Sequence, residues 1–283
     1  MSSTPTISVI IAVYNHFEWL RLILDALRMQ TNKDFEVIIA DDGSNENTVE
    51  QIRDYCAKHP ELPVVHSWQP DEGWRKNKSL NKAVRQSKGE YIVFIDGDCI
   101  PHPKFIADHL RLRKRGQVFG GRRVEMSKPV SDMVESWETL PKNYFQRVRK
   151  EILRHISDTP FFSTLGQFRR TYHFPFINGN PIGLKPVGFW GCNMGMYKAD
   201  LESLNGFDER YVNPGTGEDT DLEVRVRNAG MTYVKSSRYA LMLHRCHPRL
   251  FLEAPENKAL LQAAIENKTT WVEDGIIPKR EGE

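Results

Sequence analysis

Nearly continuous apolar runs alternate with amphipathic stretches over the first hundred positions. Ile7–Val13, Phe35–Ala40 and Tyr91–Ile95 are runs of the kind that make strands buried on both faces, as in a parallel sheet. Between the first two, Phe17, Leu20, Ile23, Leu24 and Leu27 recur at steps of three and four, which predicts a helix over 16–29. Val49, Ile52, Tyr55 and Cys56 mark a second helix, and Val64–Trp68 a short strand. Lys78–Ser87 is a third helix with Leu80, Ala83 and Val84 inward. Four strand–helix alternations with short connections predict a doubly wound, mostly parallel sheet with right-handed crossovers.

The rhythm loosens after position 98. Residues 103–114 read as a helix, 118–126 as one strand, and 130–156 as largely helical with an interruption at Pro141. From Ser157 to Pro186 no period is kept, and a stretch of that length inside a domain reads as a functional loop or lid. Phe189–Tyr197 returns to strand character broken by glycines, which suggests close packing against the backbone. A glycine-rich turn at 213–217 feeds a helix carrying Leu222, Val224, Val226 and Ala229, ended by Gly230. Met231–Lys235 and Tyr239–Leu243 are two last strands, the second stopping at His244. Beyond Leu250 comes one more amphipathic stretch, Leu260–Ile265, and then a polar end.

With 283 residues, 40% hydrophobic and 27% charged, the chain is globular and able to bury a large core. A net charge of +2 does not suggest a nucleic-acid binder. The cations are nevertheless bunched, at Arg111–Arg115, at Arg122 and Arg123, and from Lys142 to Arg154; for most, a solvated helix face is the expectation. Clustered with Trp137, Tyr144, Phe145, Phe161 and Phe162, the last group leaves open a peripheral contact with the inner face of a membrane. An ordinary helical cover on the sheet is the alternative. Cys56, Cys99, Cys192 and Cys246 are far apart, as expected of free thiols in a reducing compartment. Without a basic flank and apolar segment at the N-terminus, or an apolar run near ~20 residues, the expected location is the cytoplasm.

Two acidic groups stand out against this frame. Asp96-Gly97-Asp98 follows the 91–95 run directly, at the sheet edge where open α/β folds bind ligands. Two carboxylates there form a hard oxygen site for Mg2+ or Mn2+, which can hold a diphosphate; a solvated acidic turn is the plain alternative. Glu218, Asp219 and Asp221 crowd a helix start, where acids serve the macrodipole or cap. Three exceed what a cap needs, so proton transfer is the second reading. No G-x-G-x-x-G follows the first strand, which disfavours a dinucleotide oxidoreductase. No glycine-rich basic loop stands there either, which disfavours a nucleotide-sugar pyrophosphorylase.

Strand ends Tyr14-Asn15, Asp41-Asp42-Gly43-Ser44 and Asp96-Gly97-Asp98 come first. Gly206-Phe207-Asp208-Glu209, Gly217-Glu218-Asp219-Thr220-Asp221-Leu222 and a late histidine then follow in order. This set resembles the family 2 inverting glycosyltransferases of GT-A fold over residues 7–247. The later half looks like the galactosyltransferase-type segment shared with chondroitin polymerases and β-1,4-galactosyltransferases. The resemblance implies an α/β, GT-A type fold: a doubly wound, mostly parallel sheet flanked by helices, one domain with an inserted helical and loop region for the acceptor. It implies a nucleotide-sugar-binding half at 1–126, an acceptor and catalytic half at 127–250, and a helical tail at 251–283.

Carried over by residue, the resemblance gives Asp219 as catalytic base with Glu218 gripping donor sugar or acceptor hydroxyl. Ala12 and Tyr14 would line the base pocket and Asp42 would hydrogen-bond the base, with Asp41 the weaker candidate. Arg75 or Lys78 would serve the leaving group, while Lys76 and Lys82 read as solvated charges. Asp96 would face the ribose or the metal, Asp98 would bind Mn2+ or Mg2+ directly, and Trp190, Gly191 and Asn193 would sit beside the donor sugar. His244 is the implied metal histidine, and His247, three residues on, stays open. The implied reaction is metal-dependent inverting transfer of a hexose or N-acetylhexosamine from a nucleotide diphosphate sugar, UDP being typical, to a glycan or lipid-linked glycan. A non-catalytic nucleotide-sugar or carbohydrate-binding module is the alternative, and the oligomeric state is open. The chain departs from the vertebrate galactosyltransferase pattern at Asn213-Pro214-Gly215-Thr216-Gly217, which replaces a tryptophan-rich glycine run, and 141–186 has no counterpart.

Overall fold

The computed structural model describes residues 4–155, 161–173, 181, 184–186, 191–215, 217–248 and 254–277, with backbone alone at 161–165 and 218. The first half contains β1 (Ile7–Val13), α1 (Phe17–Arg28), β2 (Phe35–Asp41), α2 (Glu46–Lys58), β3 (Val64–Trp68), α3 (Lys76–Gln86) and β4 (Tyr91–Asp96). There follow β5 (Cys99–Pro101), α4 (Phe105–Leu112), β6 (Gln117–Gly120), β7 (Arg123–Glu125), α5 (Lys128–Glu135), α6 (Tyr144–Arg154) and α7 (Phe161–Arg170). The chain continues through β8 (Leu184–Lys185), β9 (Asn193–Tyr197), α8 (Lys198–Glu202), α9 (Glu218–Asn228), β10 (Thr232–Ser236), β11 (Met242–His244) and α10 (Pro255–Glu266).

The strands form two sheets. The larger has the order β3-β2-β1-β4-β9-β6-β10-β8, and the smaller is β5-β11-β7. β1 lies parallel between β2 and β4, with Ile7 opposite Phe35 on one side and Tyr91 on the other. Each central strand divides its side chains by twos. Ile7, Val9 and Ile11 with Tyr91, Val93 and Ile95 enter a core shared with α1, α4, α5 and α6. Ile10, Ile92 and Phe94 enter a second core with α3, α8 and α9. Burial on both faces is why these strands read as unbroken apolar runs. β9 runs antiparallel to β4 and β6, and β10 is parallel to β6. The C-terminal ends of β1, β2, β4, β6 and β10 therefore share one edge with the start of β9.

The 103–114 and 130–156 helices appear as α4, and as α5 with α6 on either side of Pro141. Three expectations need correction. The single strand over 118–126 is two strands in different sheets, broken at Gly121. The aperiodic 157–186 stretch contains helix α7 and the short strand β8. The end of the chain is not simply polar: Val272 and Ile276 are buried, and Asn205 holds the backbone of Val272, Ile276 and Ile277. The aromatic face of α6 is also inward, with Tyr144, Phe145, Val148 and Ile152 buried, as a helical cover requires. Among the described residues no helix is long and apolar enough to cross a membrane, and all four cysteines are free.

Candidate active site

Asp98, His244 and His247 converge, their ligand atoms all within 4.8 Å of one another. The small sheet brings two of them together. β5, directly after Asp98, pairs antiparallel with β11, Cys99 opposite His244, and the Arg245 N–H donates to the Asp98 carbonyl at 3.1 Å. β7 pairs with the other side of β11 and sets Glu125 opposite His244. His244 Nε2 lies 3.4 Å from Asp98 Oδ2, and its Nδ1 lies 2.8 Å from Glu125 Oε2, an ion-pair contact rather than an aligned hydrogen bond. His247 Nε2 lies 2.9 Å from Asp98 Oδ2, while its Nδ1 donates to the Pro248 carbonyl at 2.9 Å. In both rings the nitrogen away from Asp98 lies beside an acceptor, hydrogen-bonded in His247 and in ion-pair contact in His244, an arrangement that leaves the other nitrogen for a cation. Burial alone would raise the Asp98 carboxyl, but the hydrogen bond with His247 and the charge of His244 bring it down to about 2. Glu125 is likewise brought to about 2 against its burial, by His244 and Arg123. One carboxylate and two imidazoles fit a divalent ion, and suit Mn2+ better than Mg2+.

Asp96 and Asp219 line one small cavity with Ala12, Lys76, Gly191 and Phe207. Asp219, in the first turn of α9, accepts the Gly191 N–H at Oδ2 (3.0 Å). A β-carbon at position 191 would lie 2.9 Å from that oxygen, so the close approach depends on glycine. Asp221, two residues on, has another role. It is buried and paired at 2.7 Å with Arg225, whose other nitrogens donate to the Leu204 and Gly206 carbonyls. The Glu218 side chain and Trp190 lie outside the described residues.

At the outer end of the edge Tyr14 stands 49% exposed, its hydroxyl donating to Asp71 at 3.0 Å. Asp42 is buried and accepts from Gln69 Nε2 and the Arg75 N–H, both at 2.8 Å; burial raises its carboxyl. Asp41 is fully buried, accepting the Ser44 N–H at 2.8 Å and contacting His66 Nε2 at 2.8 Å, so it closes the turn. Asn193 is buried and donates to the Ala240 carbonyl at 2.8 Å. Arg75 reaches the Trp74 carbonyl, and Lys78 pairs with Glu72 at 2.9 Å. The cation at the cavity is Lys76, 3.2 Å from Asp96, which had read as solvated. Sequence reasoning also missed Glu125. The sole hint was its place inside an apolar-flanked run, which gives no warning of a partner more than a hundred residues away.

The family model described as glycosyl transferase family 2 matches residues 8–173, and that described as the N-terminal domain of galactosyltransferase matches 182–247. Validoxylamine A glucosyltransferase of Streptomyces hygroscopicus subsp. jinggangensis is 26% identical over 242 residues, covering 81% of this chain and 53% of that protein. Chondroitin synthase of Escherichia coli is 26% identical over 249 residues, covering 86% of this chain and 35% of that protein. The chain thus spans about half the length of the first and about a third of the second. Mannosyltransferase PcManGT from Pyrobaculum calidifontis, solved with GDP-Man and Mn2+, superposes with TM-score 0.55 at 17% identity, covering 93% of this chain and 70% of that one. S. aureus TarS 1-349 in complex with UDP gives 0.54 at 18%, covering 93% and 64%. At such identities the likeness establishes the fold, that of the GT-A glycosyltransferases.

Proposed function

The chain belongs to glycosyl transferase family 2, and we propose that it transfers a hexose or N-acetylhexosamine from a UDP-sugar to a glycan or lipid-linked glycan, with inversion. The observation that carries this reading is the single cavity lined by both Asp96, from the end of β4, and Asp219, from the start of α9. An in-line displacement needs charge stabilisation at the departing diphosphate and a proton acceptor on the opposite side of the sugar.

Asp98, His244 and His247 would hold Mn2+, which when bound supplies positive charge to the leaving group. Lys76, at Asp96, would add a second positive charge there. Asp219 takes the proton of the attacking hydroxyl. With Oδ2 held by the Gly191 N–H, Oδ1 is the oxygen available to it, with Thr220 Oγ1 at a distant 3.5 Å. The exposed ring of Tyr14 offers a stacking surface for the base, and Asp42 is a buried acid whose charge Tyr14 feels. Four free thiols go with a cytoplasmic setting.

UDP affinity measured with and without Mn2+ tests the metal assignment. Wild type should bind UDP more tightly with the ion, and Asp98→Ala should lose that gain, with Mn2+ affinity down by ~10-fold or more. An Asp98→Ala variant that still bound UDP more tightly with Mn2+, by the wild-type margin, would remove Asp98 from the site. A wild-type protein that binds UDP·Mn2+ but neither hydrolyses nor transfers the sugar of any UDP-sugar would instead be a binding module.

A further inference from the structure

The small cavity lined by Asp96 and Asp219 changes character from mouth to floor. At the mouth Ala12, Asp96, Gly191 and Asp219 are each partly exposed. Beneath them Leu80, Phe94, Met194 and Phe207 are buried.

The sheet's register builds this gradient. Phe94 precedes Asp96 by two residues on β4, so both side chains leave the same face of the sheet. Ala12 is paired with Asp96 across β1 and β4, and Met194 with Phe94 across β4 and β9. The four floor residues all belong to the second core, which reaches the ligand edge here.

Phe207 is fixed in place by its backbone as well as by its ring. Its N–H donates to Asn81 Oδ1 at 2.9 Å and its carbonyl accepts from Asn81 Nδ2 at 2.8 Å, with Asn81 fully buried on α3. One turn earlier, Asn77 Nδ2 donates to the Asp208 carbonyl at 2.8 Å. Gly206 has φ +73°, and a β-carbon on it would lie 2.5 Å from Asn81 Oδ1, so this clamp closes only over glycine. The Phe207 ring meets Phe94 edge-on, with centroids 5.1 Å apart. Held in both ways, this wall sets the size of the cavity.

That size is ≈ 10 Å³, about the room that one water molecule or one methyl group takes. The floor offers a water none of the ~2–4 hydrogen-bond partners that ordered water keeps, because all four of its side chains are apolar. A methyl group there leaves water and gains close contacts.

We propose that the transferred sugar is a 2-acetamido sugar, whose N-acetyl methyl group fills this recess. The proposal rests on the function given above, in which the anomeric carbon lies between the leaving-group side, at Asp96, and the base, Asp219. A recess that opens between those two acids lies beside the anomeric carbon and receives the substituent of the neighbouring C2. Of hexoses and N-acetylhexosamines, only the latter carry a methyl group there.

Titration of the whole chain with matched donors in Mn2+ tests it. The pairs are UDP-N-acetylglucosamine with UDP-glucose, and UDP-N-acetylgalactosamine with UDP-galactose. In at least one pair the acetamido donor should bind ~10-fold or more tightly, the worth of one well-seated methyl group. The amino sugar of that pair, with the nitrogen but no methyl group, should show no such gain. Ala12→Val adds methyl groups beside the recess on a side chain suited to a strand, and should bring the ratio toward one. Phe207→Leu deepens the recess and should turn the preference toward the N-propionyl donor, which keeps the test should Ala12→Val not fold. Equal binding within both pairs would overturn the proposal, as would a preference that no folded variant alters. UDP itself, titrated in the same samples, reports on the donor reading. Failure of wild type to bind UDP·Mn2+ would remove that reading and this proposal together, whereas UDP·Mn2+ binding with equal affinities within both pairs would remove the acetamido assignment alone.

Discussion

The two sheets of this molecule are assembled in opposite ways. The large sheet is nucleated by long apolar strands whose neighbours follow each other closely in sequence, as in β1, β2 and β4. The small sheet consists of three strands of three residues each, drawn from positions 99, 123 and 242 onward. Each contains a carboxylate–histidine contact. In the large sheet Asp41 meets His66 at 2.8 Å with both carboxylate oxygens engaged and the acid fully buried. In the small sheet Glu125 meets His244 at 2.8 Å, and the far side of that ring turns to Asp98 and toward His247. The same pair of groups closes a turn in one sheet and, on the proposed function, would orient a metal-ligand atom in the other.

The sharpest test of that distinction uses two acids on one helix, both tied to the large sheet's cores through α9. Asp219→Asn keeps the shape of the side chain and its contact with the Gly191 N–H, but removes the proton acceptor. Turnover should fall ~10²–10⁴-fold, the usual contribution of a positioned base, with UDP·Mn2+ affinity retained. Asp221→Asn should do the reverse. It leaves Arg225 buried with a neutral partner, and breaking such a pair costs up to about 3–5 kcal/mol, read as a lowered denaturant midpoint. Near-normal sugar transfer by Asp219→Asn would end its assignment as the base.

Glu125→Gln comes next in size and addresses the small sheet directly. A carboxylate behind a metal-binding imidazole commonly accounts for ~10–100-fold of metal affinity, so Mn2+ binding followed by electron paramagnetic resonance should weaken by that order. Asp41→Asn is the matched change in the large sheet, and should lower stability while leaving Mn2+ affinity where it was. Equal Mn2+ affinity in Glu125→Gln and wild type would mean that Glu125 serves Arg123, its 2.6 Å partner, and not the histidine.

These results also explain what was legible in the sequence. The strands and helices from β1 to β4 were recovered nearly to the residue, because burial on both faces forces apolar runs and burial on one face forces a helical stripe. β5, β7 and β11 are too short for alternation to register over them, and they exist only by pairing with each other. For that reason 118–126 read as one strand, β5 was missed, and Glu125 had no visible partner. Asp98, His244 and His247 were legible as residue types in a family-like order, and the structure brings them together. Lys76 was misjudged for a local reason. It opens α3 beside Lys78, and nothing in the sequence says which of two lysines two residues apart turns toward Asp96 and which toward Glu72.

The smallest effect expected is the one that most narrowly defines the large sheet's role as frame. Asn45 caps α2, its side-chain oxygen accepting the Thr48 N–H at 3.0 Å, while its own N–H donates to Asn15 Oδ1 at 2.8 Å. Asn45→Ala removes the first bond and keeps the second, since the second uses the backbone. A lost cap costs about 0.5–2 kcal/mol, which in a chain of this size lowers Tm by a few degrees. Because the backbone bond to Asn15 survives, Tyr14 should keep its position and UDP affinity should not change. A fall in UDP affinity larger than the fall in stability would mean that the α2 cap belongs to the nucleotide pocket. The division between a framing sheet and a chemical one would then have to be redrawn through the end of β2 rather than after β4.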